Sequence, residues 1–274
     1  MLNKTAPVES CGFVLIGVIY FIVILLACIL GAIVGLGGGV FIRPIFDAIG
    51  YHNVLNIAFF SSSAILTMAV VSTAKKMKDG LAIEKSVAIL VSSGAVVGGF
   101  LGNLLLEHLV RIMNVETSVQ LVQIAVTVVV LALSIYATTK RDLKYELKSQ
   151  WILPFIGVGL GAIAAFLGIG GGPINVPIFM ILFGMPIKTA TAYSIVVIFF
   201  SHASRLVTMG FTEGYSSFDL RLLPFIIVAA AIGGLLGANL SKVLSEEKVK
   251  KLFIAALLAV IALNLYNGFV FITR

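Results

Sequence analysis

The sequence predicts an all-α integral membrane protein made of two homologous four-segment halves, each broken by a half-helix that follows a glycine-rich knot. Three observations carry that prediction. The chain is 60 % apolar and only 11 % charged, with a mean hydropathy of +1.13. A soluble domain carries about 25 % charged residues. Apolar runs recur along the whole length, and a bilayer core needs about 20 such residues per helix. Finally, Gly35-Leu36-Gly37-Gly38-Gly39 returns as Gly168-Ile169-Gly170-Gly171-Gly172, and Pro44, Ile45 and Phe46 return in register as Pro177, Ile178 and Phe179.

The elements follow in order. The run 12–34, preceded by Lys4, is too long for a signal-peptide core and lacks an Ala-x-Ala-like cleavage site, so it reads as a retained first span. After the first knot comes the stretch 39–49. At 1.5 Å per residue it is too short to cross and reads as a half-helix beginning at membrane depth. Spans are expected at 54–74, 84–106 and 118–138. The most polar stretch, 139–150, then divides a first repeat, 1–138, from a second, 151–274. The second repeat offers 152–169, the half-helix 172–183, and spans at 189–208, 221–241 and 251–272. Two further matches fall in the same order. Gly98-Gly99-Phe100-Leu101-Gly102 pairs with Gly233-Gly234-Leu235-Leu236-Gly237, and Leu131–Tyr136 pairs with Ile261–Tyr266. Interrupted helices at corresponding places in both halves are the pattern of a transporter.

With 274 residues, little chain remains for a soluble domain once the spans are allotted. The net charge of +7 lies in short loops between apolar runs, which suits a lipid bilayer and positive-inside sorting rather than nucleic acid. The lysines at 75, 76, 78 and 85, with Lys140, Arg141, Lys144 and Lys148, mark cytoplasmic loops. Eight full crossings would make the halves parallel repeats. The acidic loop at 212–215 and the lysines at 242, 248, 250 and 251 suit inverted repeats instead. Both topologies stay open at this level. Cys11 and Cys28 have no metal-type spacing, and neither do His52, His108 and His202, so no metal or cofactor is expected.

Successive glycines allow the backbone to turn N–H groups into a concavity that binds anions, and a half-helix N-terminus adds its positive dipole end. Pro173 suits a first helical turn. The substrate-contact candidates are therefore Gly37, Gly38, Gly39, Gly170, Gly171 and Gly172, with Pro44 and Pro177 in the half-helices. Asn175 adds an amide donor, and Ser62, Thr191 and Ser194 add hydroxyls from the second and sixth spans. Ser and Thr also serve as plain helix-contact residues, so packing competes with binding for these three. Arg43 is the most pointed residue, because its repeat partner is the neutral Val176. It either faces an aqueous site, where Asp47 can pair with it, or snorkels to the interface. His202 and Arg205 read as interfacial anchors, with the mouth of a pathway as the other reading. The spacing of Gly94, Gly98 and Gly102, of Gly157 and Gly161, and of Gly233 and Gly237 is that of close helix packing. No Asp or Glu falls in the middle of an expected span, which argues against a cation carrier or carboxylate relay. No nucleophile–base motif, Rossmann unit or P-loop accompanies the glycines, which argues against an enzyme.

The paired Gly-(Leu/Ile)-Gly-Gly-Gly knots, each followed five residues later by Pro44 or Pro177, and the later Gly-Gly-x-Leu-Gly at 98–102 and 233–237 resemble the TauE/SafE family of sulfite exporters and sulfonate permeases. The resemblance implies transport of a small sulfur-containing oxyanion, organosulfonate or organic acid across the cell membrane. Arg43 departs from the family pattern, which has an apolar residue before that proline. The expectation is a secondary transporter working by alternating access, with a coupling proton or cation and a homo-oligomer left open. Its rivals are a membrane scaffold or assembly subunit and an anion channel.

Overall fold

The structure, a computed structural model, describes residues 6–80, 84–113, 116–139, 150–169 and 171–273. Ten helices account for nearly all of them. The first five are α1 (Ala6–Val34), α2 (Gly39–Ile49), α3 (Val54–Lys78), α4 (Lys85–Met113) and α5 (Glu116–Thr139). The second five are α6 (Leu153–Leu167), α7 (Gly172–Leu182), α8 (Ile187–Thr212), α9 (Leu223–Val243) and α10 (Glu246–Thr273). Seven of the described helices are long and apolar enough to cross a membrane. Their outer faces carry exposed Val14, Leu26, Val129, Leu133, Val228 and Leu265, a surface that only lipid can cover well.

Two boundaries differ from expectation. The fifth apolar segment, expected at 152–169, ends as a helix at Leu167 with 15 residues, short of a crossing. Gly168, at φ +66°, closes that helix and starts the second turn. The third span runs past residue 106 to Met113, because Asn103 and Glu107 are buried on its inner face rather than marking its end.

Close contacts fix the directions of the helices. Cβ atoms added at Gly94, Gly98 and Gly102 of α4 would fall 1.9–2.2 Å from the carbonyl oxygens of Pro154, Val158 and Ala162 in α6. The two helices therefore run parallel with their backbones touching. Likewise α1 and α9 run parallel, with Gly233 against Leu25 and Cys28 and Gly237 against Ile29 and Ala32. The packing reading of these glycines holds. The pairings are reciprocal: α1 lies on α9 and α6 on α4, α3 lies on α9 and α8 on α4, and α10 meets α2 as α5 meets α7.

The ends of α3, α8, α9 and α10 meet at one face. There Lys242 Nζ lies 3.4 Å from Asp79 Oδ1, Lys188 Nζ donates to Lys242 O at 3.3 Å, and Lys188 N donates to Glu246 Oε2 at 3.1 Å. The hydrogen bond from Lys75 holds the Asp79 carboxyl below its usual range. The opposite face joins Arg111 to Glu213 at 2.9 Å and Asp219 N to Asn56 Oδ1 at 3.3 Å. Following the chain between these faces, α1 and α6 point in opposite directions, as do α3 and α8.

Candidate functional site

The two glycine knots meet at the centre of the fold. A Cβ on Gly39 would lie 2.9 Å from Gly168 O, and one on Gly172 would lie 2.2 Å from Leu36 Cα and 2.3 Å from Gly35 O. Helices α2 and α7 start from this junction. Gly38 O accepts from Phe41 N and Ile42 N at 3.0 and 3.1 Å, and Gly171 O accepts from Ile174 N and Asn175 N at 3.0 and 2.9 Å. Gly37 and Gly171 have φ of +66° and +69°, which a side chain rarely tolerates. Gly170 lies outside the described residues. Pro44 and Pro177 sit inside the short helices, where each removes one backbone hydrogen bond. Asn267 Nδ2 from α10 donates to Pro44 O at 2.7 Å, fixing α2 in place.

Charge collects on the second knot. A Cβ on Gly168 would stand 2.8 Å from Arg43 Nη1 and 3.1 Å from Arg205 Nη1, so two guanidiniums flank one point of the backbone. Arg43 is 3 % exposed and Arg205 0 %. Arg43 Nη2 donates to Gln123 Oε1, whose Nε2 donates to Phe166 O at 2.7 Å, and Arg43 Nε lies 3.7 Å from Asp47 Oδ2. Arg205 Nε donates to Asn103 Oδ1 at 3.3 Å. Arg43 Nη1, both Arg205 Nη atoms, His202 Nε2 and both amide atoms of Asn175 have no hydrogen-bond partner among the described residues. A buried guanidinium N–H without an acceptor is costly, and donors of this kind are the chemistry that an anion satisfies.

The hydroxyl candidates divide. Ser62 Oγ lies 3.2 Å from His202 Nδ1, beside this cluster. Ser61 and Ser63 donate to their own helix. Ser194 Oγ donates to Gly35 O at 2.7 Å, and Thr191 Oγ1 donates to Lys188 O at 2.7 Å while its Cβ packs on Gly35. These two residues brace the first knot. His202 and Arg205 are not interfacial anchors: both are 0 % exposed. Both lie inside α8, which extends beyond residue 208 to Thr212, so neither can reach the surface. No acid falls in the middle of a span, but two are buried in the membrane helices, Asp47 in α2 and Glu107 toward the end of α4.

The family model described as sulfite exporter TauE/SafE matches residues 20–265. The chain belongs to the TauE/SafE family. It is a multi-pass membrane transporter of the cell membrane, as that family is. A TauE/SafE-type relative, the probable membrane transporter protein YunE of Bacillus subtilis, is 24 % identical over 272 residues, covering 92 % of this chain and 98 % of its own. The probable membrane transporter protein MamO of Magnetospirillum gryphiswaldense is 31 % identical over 116 residues, which are 40 % of this chain but 18 % of MamO. MamO of Paramagnetospirillum magneticum is 30 % identical over 119 residues, 41 % of this chain and 18 % of its own. No solved structure matches.

Within this TauE/SafE chain, sequence reasoning passed over Gln123, Asn103 and Glu107. Their signal was present. Each is a polar side chain inside or at the end of an apolar run, where such groups need a partner.

Proposed function

We propose that this chain is a secondary transporter that binds a small oxyanion, of the sulfur-oxyanion or organosulfonate kind, between its two glycine knots and exposes it alternately to each side. One observation carries the reading: two buried guanidiniums, from α2 and α8, converge on Gly168 with donors that no described residue accepts. Arg43 belongs to the first half of the chain, and Gly168 and Arg205 belong to the second. An anion held there would bridge the halves 1–138 and 151–274, which in this reading are inverted repeats joined by the linker 139–150. Relative movement of the halves would then open the site to one face or the other. Sorting by positive charge makes the face of Lys75, Lys188 and Lys242 cytoplasmic.

The test is uptake into proteoliposomes of sulfite, sulfate, thiosulfate, methanesulfonate and sulfoacetate. At least one should accumulate without ATP, and Arg205→Leu should reduce that uptake by at least about tenfold, the worth of one charge-assisted hydrogen bond. No uptake of any member, or full uptake by a folded Arg205→Leu protein, overturns the reading.

A further inference from the structure

Glu107 lies at the start of a hydrogen-bonded line that ends in the charged cluster. It is 4 % exposed, and its Oε1 accepts from Asn103 Nδ2 and from Thr212 Oγ1, the latter at 2.7 Å. Asn103 passes the connection on, since its Oδ1 accepts from Arg205 Nε at 3.3 Å. Beyond that bond are the two Arg205 Nη atoms that no described residue accepts. On its other side Glu107 lines a cavity of about 400 Å³ together with Leu104, Leu105, His108 and Arg111. His108 and Arg111 are exposed at the rim of that cavity, at the face where Arg111 pairs with Glu213. One carboxylate thus borders a cavity and also holds, through Asn103, a guanidinium of the anion cluster.

We propose that Glu107 is a proton-binding site coupled to the anion bound by Arg43 and Arg205, so that proton and anion are taken up together. This rests on the oxyanion reading above. The step is a simple protonation: a proton from water in the cavity adds to the carboxylate, and no other bond forms or breaks. With Glu107 ionised, the two guanidiniums face two buried carboxylates, Glu107 and Asp47. Protonating Glu107 leaves Asp47 alone against them, and the uncompensated positive charge attracts an anion. By linkage the bound anion raises the proton affinity of Glu107 by the same factor.

The charged neighbours are consistent with this assignment. Helix α8 presents Arg205, Thr212 and, through Arg111, Glu213. Helix α4 itself adds His108 and Arg111. Helix α6, which packs along α4, has no titratable side chain, and α5 has Glu116 and Tyr136 toward its ends. Asp47 and His202 are the rival proton sites: Asp47 lies 3.7 Å from Arg43 Nε, and its Oδ1, like His202 Nε2, has no partner among the described residues. Neither has the Asn103 connection to Arg205, and neither lines the cavity.

The experiment is calorimetric titration of the purified protein with sulfate and with methanesulfonate, whose charges stay fixed between about pH 5 and pH 8. Repeating it in buffers of different ionisation enthalpy counts the protons taken up. Wild-type affinity should fall about tenfold across that range, with uptake of up to one proton per anion. Glu107→Gln, which keeps an acceptor for Asn103 and removes the charge, should bind at pH 8 as the wild type does at low pH, with no proton uptake. Glu107→Asp should restore both the pH dependence and the uptake, which a merely structural role would not predict. A pH-independent wild type, proton uptake that persists in Glu107→Gln, or its loss in Asp47→Asn instead overturns the proposal while leaving the anion site standing. If neither anion binds the wild type at any pH, the oxyanion reading itself falls, and this proposal with it.

Discussion

Replacing Gly172 with alanine tests the junction of the knots by sterics alone. Gly172 opens α7 in helical conformation, so an alanine there carries no penalty from its backbone angles. Space is the difficulty. The new methyl carbon would stand 2.2 Å from Leu36 Cα, 2.3 Å from Gly35 O and 2.5 Å from Leu36 C. Carbon atoms settle at about 3.5–4.0 Å, so the two knots must part by roughly 1 Å or more. The opposing atoms are backbone and cannot swing aside. Gly35 O is held by Ser194 Oγ at 2.7 Å, and Leu36 N is bonded to Gly31 O at 3.1 Å. Overpacking of this kind costs about 1–3 kcal/mol, small enough for the protein to insert and fold. A displacement of about 1 Å where Arg43 and Arg205 converge should cost binding geometry far more, lowering uptake by about 10- to 100-fold. The control is Gly159→Ala in α6, where an added Cβ meets nothing within 4 Å. It should transport normally and melt no lower, gaining up to about 1 kcal/mol from helix propensity. The assay is proteoliposome uptake normalised to reconstituted protein, with thermal melting followed by size-exclusion fluorescence. Wild-type uptake by Gly172→Ala would refute the claim that the knots touch where the substrate binds.

Two further predictions follow from the same geometry. Arg43→Leu should weaken anion binding by about 1–3 kcal/mol, and Arg43→Lys should recover part of it, because a charge remains although the planar fork is lost; an unchanged Kd in a folded leucine variant would remove Arg43 from the site. Gly98→Val, whose Cβ would fall 2.2 Å from Val158 O, should lower the melting temperature or the folded yield, and the protein that does fold should bind sulfate with wild-type affinity; normal stability would show that α4 and α6 are farther apart than described.

The helical class and the half-helices were legible because the bilayer imposes a length on every segment, and because 39–49 and 172–183 fall short of it. The positions of α2 and α7 follow from that rule with errors of a residue or so. The charged cluster was harder to read. His202 and Arg205 stand near the end of an apolar run, and a run alone cannot distinguish a helix that stops there from one that continues through Thr212. Glu107 was missed for the same reason, one residue past an apolar stretch that α4 continues beyond. Loop charges left the topology tied because lysines occur at the end of α3 and again around the start of α10. Only the contacts of Asp79 with Lys242, and of Lys188 with Glu246, bring those lysines to a single face. Ser194 and Thr191 show the converse. A hydroxyl inside a span suggests a ligand, yet both donate to backbone carbonyls.

The two knots are alike in sequence and unlike in their surroundings. The first is tied down on every side: Ser194 holds Gly35 O, Lys76 Nζ donates to Ala32 O at 3.1 Å, and Asn267 holds Pro44 O. The second carries donors of Arg43 and Arg205 and an amide of Asn175 that have no partner among the described residues. Two of the differences lie in the half-helices themselves: Arg43 where the second half has Val176, and Asn175 where the first half has Ile42. Arg43 starts on the first half-helix but spends its charge on the second knot, so removing it would not merely weaken one half. It would separate the charge that one half contributes from the backbone turn that the other contributes. A carrier whose halves move against each other needs such a cross-connection: the substrate must be held by both halves when the site is closed, and by fewer groups when it opens. In the alternating-access reading proposed above, that role falls to Arg43. Its guanidinium is therefore expected to change partners during transport while Arg205, held by Asn103, stays with its own half.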